Sequence, residues 1–260
     1  MTEVAAVVEG VRRQSPLVHC ITGSASINYV ANALLAAGAR PMMTDTGDDA
    51  PHAVRSASAL LVNLGTLSSD AATAILPTLE TVHTLALPWV LDPVGIGRLP
   101  TRTALASHLA AAPPTAIRCN PSETLVLAGD DHGGRGPDST ASFEDAAKAA
   151  QRLATRHGCV VAVSGAQDMV TNGWRTQEIS SGTPLLQRVT GTGCALGALV
   201  AACCAVADPF LAAVTAHAWL GSAAELAAAE ASGPGDFAWR LLNALDSVPP
   251  EVVSATASRR

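Results

Sequence analysis

The sequence predicts an α/β fold in which a mostly parallel central sheet carries helices on both faces. Short apolar segments alternate with longer alanine-rich stretches, and a parallel sheet with crossover helices requires this order. Residues 59–64 (ALLVNL) are apolar without alternation, which is typical of a strand covered on both faces. A chain of 260 residues with 48% hydrophobic content is long enough to bury a large core. We therefore expect a single domain over residues 1–260.

The apolar segments give the positions of the strands. Strands are predicted at residues 16–21, 41–43, 59–64, 89–91, 115–118 and 159–163. Residues 171–179 carry Asn172-Gly173, a dipeptide that favours a tight turn, and predict a hairpin at one edge of the sheet.

Helical spacing of apolar residues predicts the elements between the strands. The predicted helices cover residues 4–11, 26–37, 50–58, 69–85 and 146–156, a segment that starts at Ser122, and most of residues 195–245. Gly38 ends the second helix, because glycine readily adopts the left-handed conformation that closes a helix. Residues 129–142 are rich in glycine and aspartate and are predicted to form a surface loop.

Composition and charge exclude several classes of protein. The 22 acidic residues outnumber the 16 basic ones, so the net charge is −6 and we expect no nucleic-acid partner. No apolar run reaches the roughly 18 residues that a membrane span needs. Glu3 and Glu9 stand where a signal peptide has basic and then apolar residues. We therefore expect a cytoplasmic protein without a membrane partner.

The six cysteines show no C-x-x-C spacing, so they indicate neither a zinc site nor a disulfide framework. Most of them lie in apolar runs and predict buried free thiols in a reducing compartment. Cys194 differs because it stands at the start of a predicted helix, where the helix N-terminus favours the thiolate and lowers the pKa.

The glycine-rich segment at residues 189–197 (VTGTGCALG) is the first candidate for a functional site. Gly191 and Gly193 allow backbone N–H groups to come close to a ligand. A glycine turn that opens a helix presents these donors at the positive end of the helix dipole, which makes an anion site. The alternative is a turn that only serves the packing of the helix.

Polar residues also follow several predicted strands, at the sheet edge where doubly wound folds bind ligands. Asp92 and Glu123 together suggest Mg²⁺ held partly by water and phosphate oxygens. As alternatives, Asp92 alone could cap the turn that it forms with Pro93, and Glu123 alone could form a capping box with Asn120. Arg118 fits either a phosphate clamp or a surface ion pair. Ser164-Gly165 combines a turn and a hydroxyl, as loops that bind nucleotide phosphate do, although many other loops that follow a strand share this composition.

Two features of the N-terminal part have structural interpretations. His19 lies inside an apolar strand and is interpreted as a core histidine rather than a ligand. Met42 and Met43 either line an apolar pocket or fill the core.

Eight motifs in chain order resemble those of a known family. They are PLVHCIT (16–22), NYVANALLAAGARPMM (28–43), NLGTL (63–67), DPVG (92–95), AIRCNPSE (116–123), SGAQD (164–168), VTGTGC (189–194) and GPGDF (233–237). Over about residues 8–246, the chain resembles the hydroxyethylthiazole kinase family of the ribokinase-like superfamily. The resemblance implies a ribokinase-like fold and, with ATP and Mg²⁺, phosphorylation of the primary alcohol of 4-methyl-5-(2-hydroxyethyl)thiazole in thiamine salvage. It also implies a homotrimer with sites between subunits.

The resemblance also implies roles for single residues. It places Met43 and Gly191 at the substrate, Arg118 and Ser164 at ATP, and Asp92 and Glu123 in the magnesium region. The glycine spacing itself, with the helix that follows, predicts Thr192 and Gly193 as the phosphate loop. Cys194 stands where other ribokinase-like enzymes have a catalytic aspartate, and cysteine is the usual occupant in this family. Two positions depart from the family pattern, which commonly has Asn-Asn at Gly23-Ser24 and glycine at Cys119. Both lie near the predicted mouth of the site, so the substrate preference stays open.

Other functions are consistent with parts of this pattern. Gly191, Gly193 and Gly197 imitate a dinucleotide fingerprint, but that fingerprint joins a strand to a helix, and here helix follows helix. A kinase of another small heterocyclic alcohol and a non-catalytic nucleotide-binding relative are the remaining alternatives. The P-loop pattern G-x-x-x-x-G-K-[ST] does not occur in the chain.

Overall fold

The computed structural model describes residues 2–130 and 142–259, and its centre is one eight-stranded sheet. The strands are β1 (Leu17–Ile21), β2 (Arg40–Met42), β3 (Ala59–Asn63), β4 (Trp89–Asp92), β5 (Ala116–Cys119), β6 (Val160–Val163), β7 (Asp168–Thr171) and β8 (Thr176–Ile179). Their order across the sheet is β2-β1-β3-β4-β5-β6-β7-β8. The pairs from β2 to β6 are parallel, and β7 and β8 add an antiparallel edge. The predicted mostly parallel sheet is confirmed.

Helices cover both faces of the sheet, as predicted. One face carries α1 (Glu3–Gln14), α2 (Ile27–Ala36), α8 (Thr192–Cys204), α9 (Pro209–Glu230), α10 (Pro234–Ser247) and α11 (Pro250–Ala257). The other face carries α3 (Ala50–Ala53), α4 (Ser69–Thr84), α5 (Pro100–Ala111), α6 (Pro121–Ala128) and α7 (Phe143–His157). Two short 3₁₀ helices lie at Val54–Ser56 and Pro184–Arg188.

The two layers of helices explain why the strands are apolar without alternation. In β3, Leu61 packs into the core beneath α8, whereas Leu60 and Val62 pack into the core beneath α4. All five residues of this strand are buried. A strand between two helical layers has no solvent face, so polar side chains gather where the strand ends.

Several element boundaries differ from the predictions. Helix α5 was not predicted, because its apolar residues give only a weak stripe and three of its residues, Ala106, Leu109 and Ala110, supply its buried side. The predicted helix at 50–58 is split into α3 and a 3₁₀ turn. Strand β7 starts at Asp168 rather than near residue 171. It was missed because polar residues, Asp168 and Thr171, stand at both ends of a very short apolar segment. The predicted loop at 129–142 falls mostly outside the described residues.

His19 is a core histidine, as predicted. It is fully buried in β1, and its Nε2 lies 2.6 Å from the carbonyl oxygen of Thr44. Burial lowers the pKa of His19 below its ordinary value, against the opposing effect of this hydrogen bond. Within residues 2–130 and 142–259, no helix is both long and apolar enough to cross a membrane.

Candidate active site

The first turn of α8 lies against the carboxyl ends of β4 and β5. Gly191 precedes the helix with a φ of 94°, a left-handed conformation that glycine adopts without strain. A Cβ on Gly193 would lie 3.0 Å from both terminal nitrogens of Arg118. A Cβ on Gly197 would lie 3.0 Å from Oδ2 of Asp92. Glycines at 193 and 197 therefore let charged side chains from two strands approach the helix.

Asp92 ends β4 and has no solvent exposure. Its Oδ2 accepts a hydrogen bond of 2.7 Å from Nδ2 of Asn63, and its Oδ1 lies 3.4 Å from Nη1 of Arg118. Burial raises the pKa of Asp92 to about 7, while the charge of Arg118 acts to lower it and the charge of Glu123 to raise it. The carboxyl group is thus held by side chains from the neighbouring strands β3 and β5, and it does not cap the turn that follows β4.

Arg118 links β5 to the neighbouring loop. It is 9% exposed, and its Nη2 donates a hydrogen bond to Oγ of Ser164. Its Nε has no hydrogen-bond partner in the described part of the chain. The ion pair with Asp92 is buried, so the alternative of a surface ion pair is wrong. A buried guanidinium with a free donor beside a helix N-terminus suits an anionic ligand.

Glu123 forms the capping box that the sequence allowed. Its Oε2 accepts from the N–H of Asn120, whose side chain in turn accepts from the N–H of Glu123, each at 2.9 Å. Its Oε1 accepts at 2.9 Å from the N–H of Gly95, in the turn after β4. Glu123 therefore fastens the turn after Asp92 to the start of α6. The capping role does not remove its charge from the site, because that charge acts on Asp92.

The environment of Cys194 contradicts the expected thiolate. The side chain is half-buried at the third position of α8. Burial, followed by repulsion from Asp92, raises the pKa of the Cys194 thiol, and the opposing effects of Ser26, Arg118 and Asn63 are smaller. The prediction of a lowered pKa was wrong because it counted only the helix N-terminus, and neither the burial of the thiol nor the nearby Asp92 carboxylate.

The remaining predicted residues lie around this centre or apart from it. The Thr192 hydroxyl donates hydrogen bonds to the carbonyl oxygens of Leu186 and Val189, at 2.8 and 3.2 Å. These bonds stabilise the turn before α8. Met43 directly follows β2 and packs partly buried against the core beneath α8. Strands β1 and β3 separate β2 from β4 in the sheet, so Met43 stands apart from the charged residues.

The predictions missed Asn63 and Ser26. Asn63 is fully buried at the end of β3, where it binds Asp92 and accepts from the N–H of Gly65 at 2.9 Å. An asparagine that ends an otherwise apolar strand was the available signal. Ser26 lies beside Gly191, whose added Cβ would stand 3.3 Å from Cβ of Ser26. No local pattern marks this contact.

Asp92 and Glu123 are the residues that fit a divalent cation. Both offer the hard oxygen ligands that Mg²⁺ prefers, and the charge of Glu123 makes ionised Asp92 less stable, an effect that a cation relieves. Within residues 2–130 and 142–259, no group of three or more His, Cys, Asp and Glu residues is arranged to hold a metal. An ion bound here would take most of its ligands from water and phosphate, as Mg²⁺ usually does.

The fold is of the ribokinase-like class. A ribokinase-like superfamily protein from Enterococcus faecalis superposes with a TM-score of 0.68 at 12% identity, covering 94% of this chain and 96% of that one. This likeness shows the fold. The predicted ribokinase-like fold is confirmed.

The particular family follows from closer comparisons. A model of the hydroxyethylthiazole kinase family matches residues 8–251. A hydroxyethylthiazole kinase from Kineococcus radiotolerans is 47% identical over 253 residues, which cover 97% of this chain and 92% of the relative. The structure of a hydroxyethylthiazole kinase protein from Pyrococcus horikoshii has a TM-score of 0.90 at 35% identity, covering 98% of this chain and 96% of that one. The chain belongs to the hydroxyethylthiazole kinase family and is a kinase, which excludes the oxidoreductase alternative.

Proposed function

We propose that this protein transfers the γ-phosphate of ATP to the primary alcohol of 4-methyl-5-(2-hydroxyethyl)thiazole, as a step of thiamine salvage. The observation that carries the proposal is the position of the Arg118 guanidinium against Gly193 in the first turn of α8. Cationic side chains and free N–H groups that converge on one point stabilise a transferring phosphoryl group. The names of the relatives support the thiazole alcohol as acceptor.

Nucleotide phosphates bind, in this proposal, along the carboxyl ends of β5 and β6. Arg118 and Ser164 contact ATP, and their mutual hydrogen bond orients both side chains before the ligand arrives. The N–H groups of Thr192 and Gly193 receive the transferred phosphate, because the first N–H groups of a helix have no partner within it. Positioning of this kind supplies most of the acceleration in phosphoryl transfer.

Asp92 and Glu123 would hold Mg²⁺ near these phosphates. The bound ion supplies positive charge that offsets the negative charge of the phosphate oxygens. Arg118 holds Asp92 in place from one side and Asn63 from the other, so the carboxylate keeps its direction. The capping box does the same for Glu123.

The alcohol binds, in this proposal, between Met43 and Gly191, with Cys194 at the position that faces the reacting hydroxyl. Because burial keeps the thiol protonated, Cys194 acts mainly by position and only weakly as a base. A loose transition state tolerates this, since little proton transfer is needed before the phosphoryl group moves.

A homotrimer with sites between subunits agrees with the distance of Met43 from the charged residues. Apolar side chains that are exposed in the single chain also support assembly: Leu35, Leu226 and Trp239 are 57%, 47% and 66% exposed. They lie on α2, α9 and α10, of which α10 contacts both others. Six free cysteines support a reducing, cytoplasmic location, and one continuous sheet supports a single domain over residues 1–260.

The test is a mixture of protein, MgATP and the thiazole alcohol, followed for ADP and for the mass of the phosphorylated thiazole. Pyrimidine and pyridine alcohols in parallel mixtures serve as matched acceptors. We expect ADP and thiazole phosphate in equal amounts, with the other alcohols slower. Faster turnover of another alcohol would favour the kinase of a different heterocycle. ADP binding without turnover of any acceptor would favour a non-catalytic relative.

A further inference from the structure

A buried histidine from α9 reaches the loop that carries Ser164. The side chain of His217 has no exposure, and its Nδ1 lies 2.7 Å from Oδ2 of Asp168. The other carboxylate oxygen, Oδ1, accepts a hydrogen bond of 2.9 Å from the backbone N–H of Gly165. One carboxylate therefore connects the core of α9 to the residue next to Ser164.

The same loop is held from its other side by β5. The N–H of Ser164 donates to the carbonyl oxygen of Cys119 at 2.9 Å, and its hydroxyl accepts from Arg118. The loop between β6 and β7 is thus held by Arg118 and Cys119 on one side and by Asp168 on the other. Asp168 is held in turn by His217, a residue of α9.

We propose that His217 is a positioning residue for the nucleotide. Its imidazole fixes the carboxylate of Asp168, the carboxylate fixes the backbone at Gly165, and the backbone holds Ser164 in place for ATP. The inference rests on the proposed nucleotide role of Ser164. Hydrogen bonds to a carboxylate are strong. A group that orients a ligand-binding residue changes the affinity of the site for its ligand, although the group itself does not touch the ligand.

The sheet order separates this effect from the acceptor. Asp168 starts β7, next to one edge of the sheet, whereas the first turn of α8, where Gly191 and Cys194 are proposed to meet the alcohol, lies against β4 and β5. Loss of His217 therefore weakens nucleotide binding and leaves the affinity for the alcohol unchanged. A general loss of stability would not separate the two substrates in this way.

The experiment compares His217→Leu with His217→Asn. Leucine removes the hydrogen bond, whereas the asparagine amide reaches the position of Nδ1 and restores it. The matched control is Thr215→Val on the same helix, because the Thr215 hydroxyl is buried and has no partner in the described part of the chain. The readouts are the Kd of ADP by titration calorimetry without acceptor, and the KM of ATP and of the thiazole alcohol.

We expect His217→Leu to raise the Kd of ADP and the KM of ATP about tenfold, with the KM of the alcohol unchanged. His217→Asn and Thr215→Val should bind ADP as the wild type does. A folded leucine variant with unchanged ADP affinity, an equal rise in both KM values, or an asparagine variant no better than leucine would overturn the proposal. If the leucine variant does not fold, His217→Gln, whose amide reaches the Nε2 position instead, takes its place. A wild type that binds ADP but does not phosphorylate the thiazole would overturn the proposed substrate alone, since ADP binding needs no acceptor.

Discussion

Helices α8 and α10 begin with the same pattern, yet only the start of α8 lies in the candidate site. Gly193 and Gly235 each stand at the second helical position, and neither helix has a side-chain cap. At α10, a Cβ on Gly235 would meet no atom of the described residues within 4 Å. Asp236 stands in its first turn and is held by the N–H of Ser232 and by Arg240, both at 2.9 Å. The start of α10 thus lies open and carries its own negative charge.

The start of α8 has the opposite surroundings. Its first turn contains no acidic residue, and it is closed in by Arg118 from β5 and Asp92 from β4. The comparison teaches that a glycine at a helix N-terminus does not make an anion site by itself. The charges in the first turn itself and those that other strands bring to it decide this together, because both set the charge and the burial of the free N–H groups.

The largest effect on activity should come from valine at Gly193. Gly193→Val places carbon atoms against the Arg118 guanidinium, so we expect kcat/KM to fall about 1,000-fold, as when donors to a transition state are lost. Gly235→Val is the matched control and should leave kcat/KM unchanged. Circular dichroism should show both variants folded. Equal activity of the two folded variants would remove the first turn of α8 from the mechanism.

The next largest effect should distinguish Arg118, near the start of α8, from Arg240, which lies on α10. Arg118→Met should lower kcat/KM about 100-fold and the free energy of unfolding by about 3 kcal/mol, because it leaves buried Asp92 unpaired. The double variant Arg118→Met/Asp92→Asn should recover stability but not activity. Arg240→Met breaks an exposed pair and should change neither quantity appreciably. Recovery of activity in the double variant would show that Arg118 only neutralises Asp92.

A smaller effect is expected at Cys194, which stands at the same helical position as Asp236. Cys194→Ser should lower kcat by less than about tenfold, because a neutral thiol contributes little as a base. Cys194→Asp places an acidic residue at the third position of α8, as α10 has at Asp236. We expect kcat at pH 7 to stay unchanged or to rise. Steady-state rates between pH 6 and about 9 check this. An inactive aspartate variant that still binds MgATP would contradict a base at this position.

The smallest effect belongs to Asp236. Hydrogen bonds from Ser232 and Arg240 hold the pKa of Asp236 below its ordinary value. A lowered pKa stabilises the fold above the unfolded value of 3.8, and that stability is lost as the pH falls through the folded value. Asp236→Asn should therefore show a smaller difference in urea midpoint between pH 7 and 3 than the wild type, with unchanged turnover. An equal difference would mean that Asp236 is unpaired in solution.

The sequence predicted those parts of the fold that depend on local pattern. Apolar runs located six of the eight strands that the structure describes, the Asn-Gly turn located the edge strand β8, and helical spacing located most helices. Failures occurred where local signals were weak, as in α5 with its narrow buried stripe, or where polar side chains disguised a strand, as at Asp168. These residues satisfy contacts with other elements, which spacing along the chain does not reveal.

The site was predictable as a set of residue types and less so as a set of contacts. Strand ends and glycine spacing pointed to Asp92, Arg118 and Gly193, which the structure brings together. The pairing of Arg118 with Asp92 and the raised pKa of Cys194 depend on residues far apart in the chain. His217 gave no signal in the sequence, because one histidine in an apolar helix is usually a packing residue.

The most direct test of the α8 site is amide hydrogen exchange in its first turn. Exchange is followed by mass spectrometry in peptides covering residues 191–196 and 233–238, with and without a non-hydrolysable MgATP analogue and the thiazole alcohol. The first N–H groups of both helices lack partners within the helix, so both should exchange fast in the free protein. We predict that the ligands slow exchange at α8 and leave α10 unchanged. Unchanged exchange at α8 under ligand concentrations that calorimetry shows to be saturating would contradict a phosphate site at this helix.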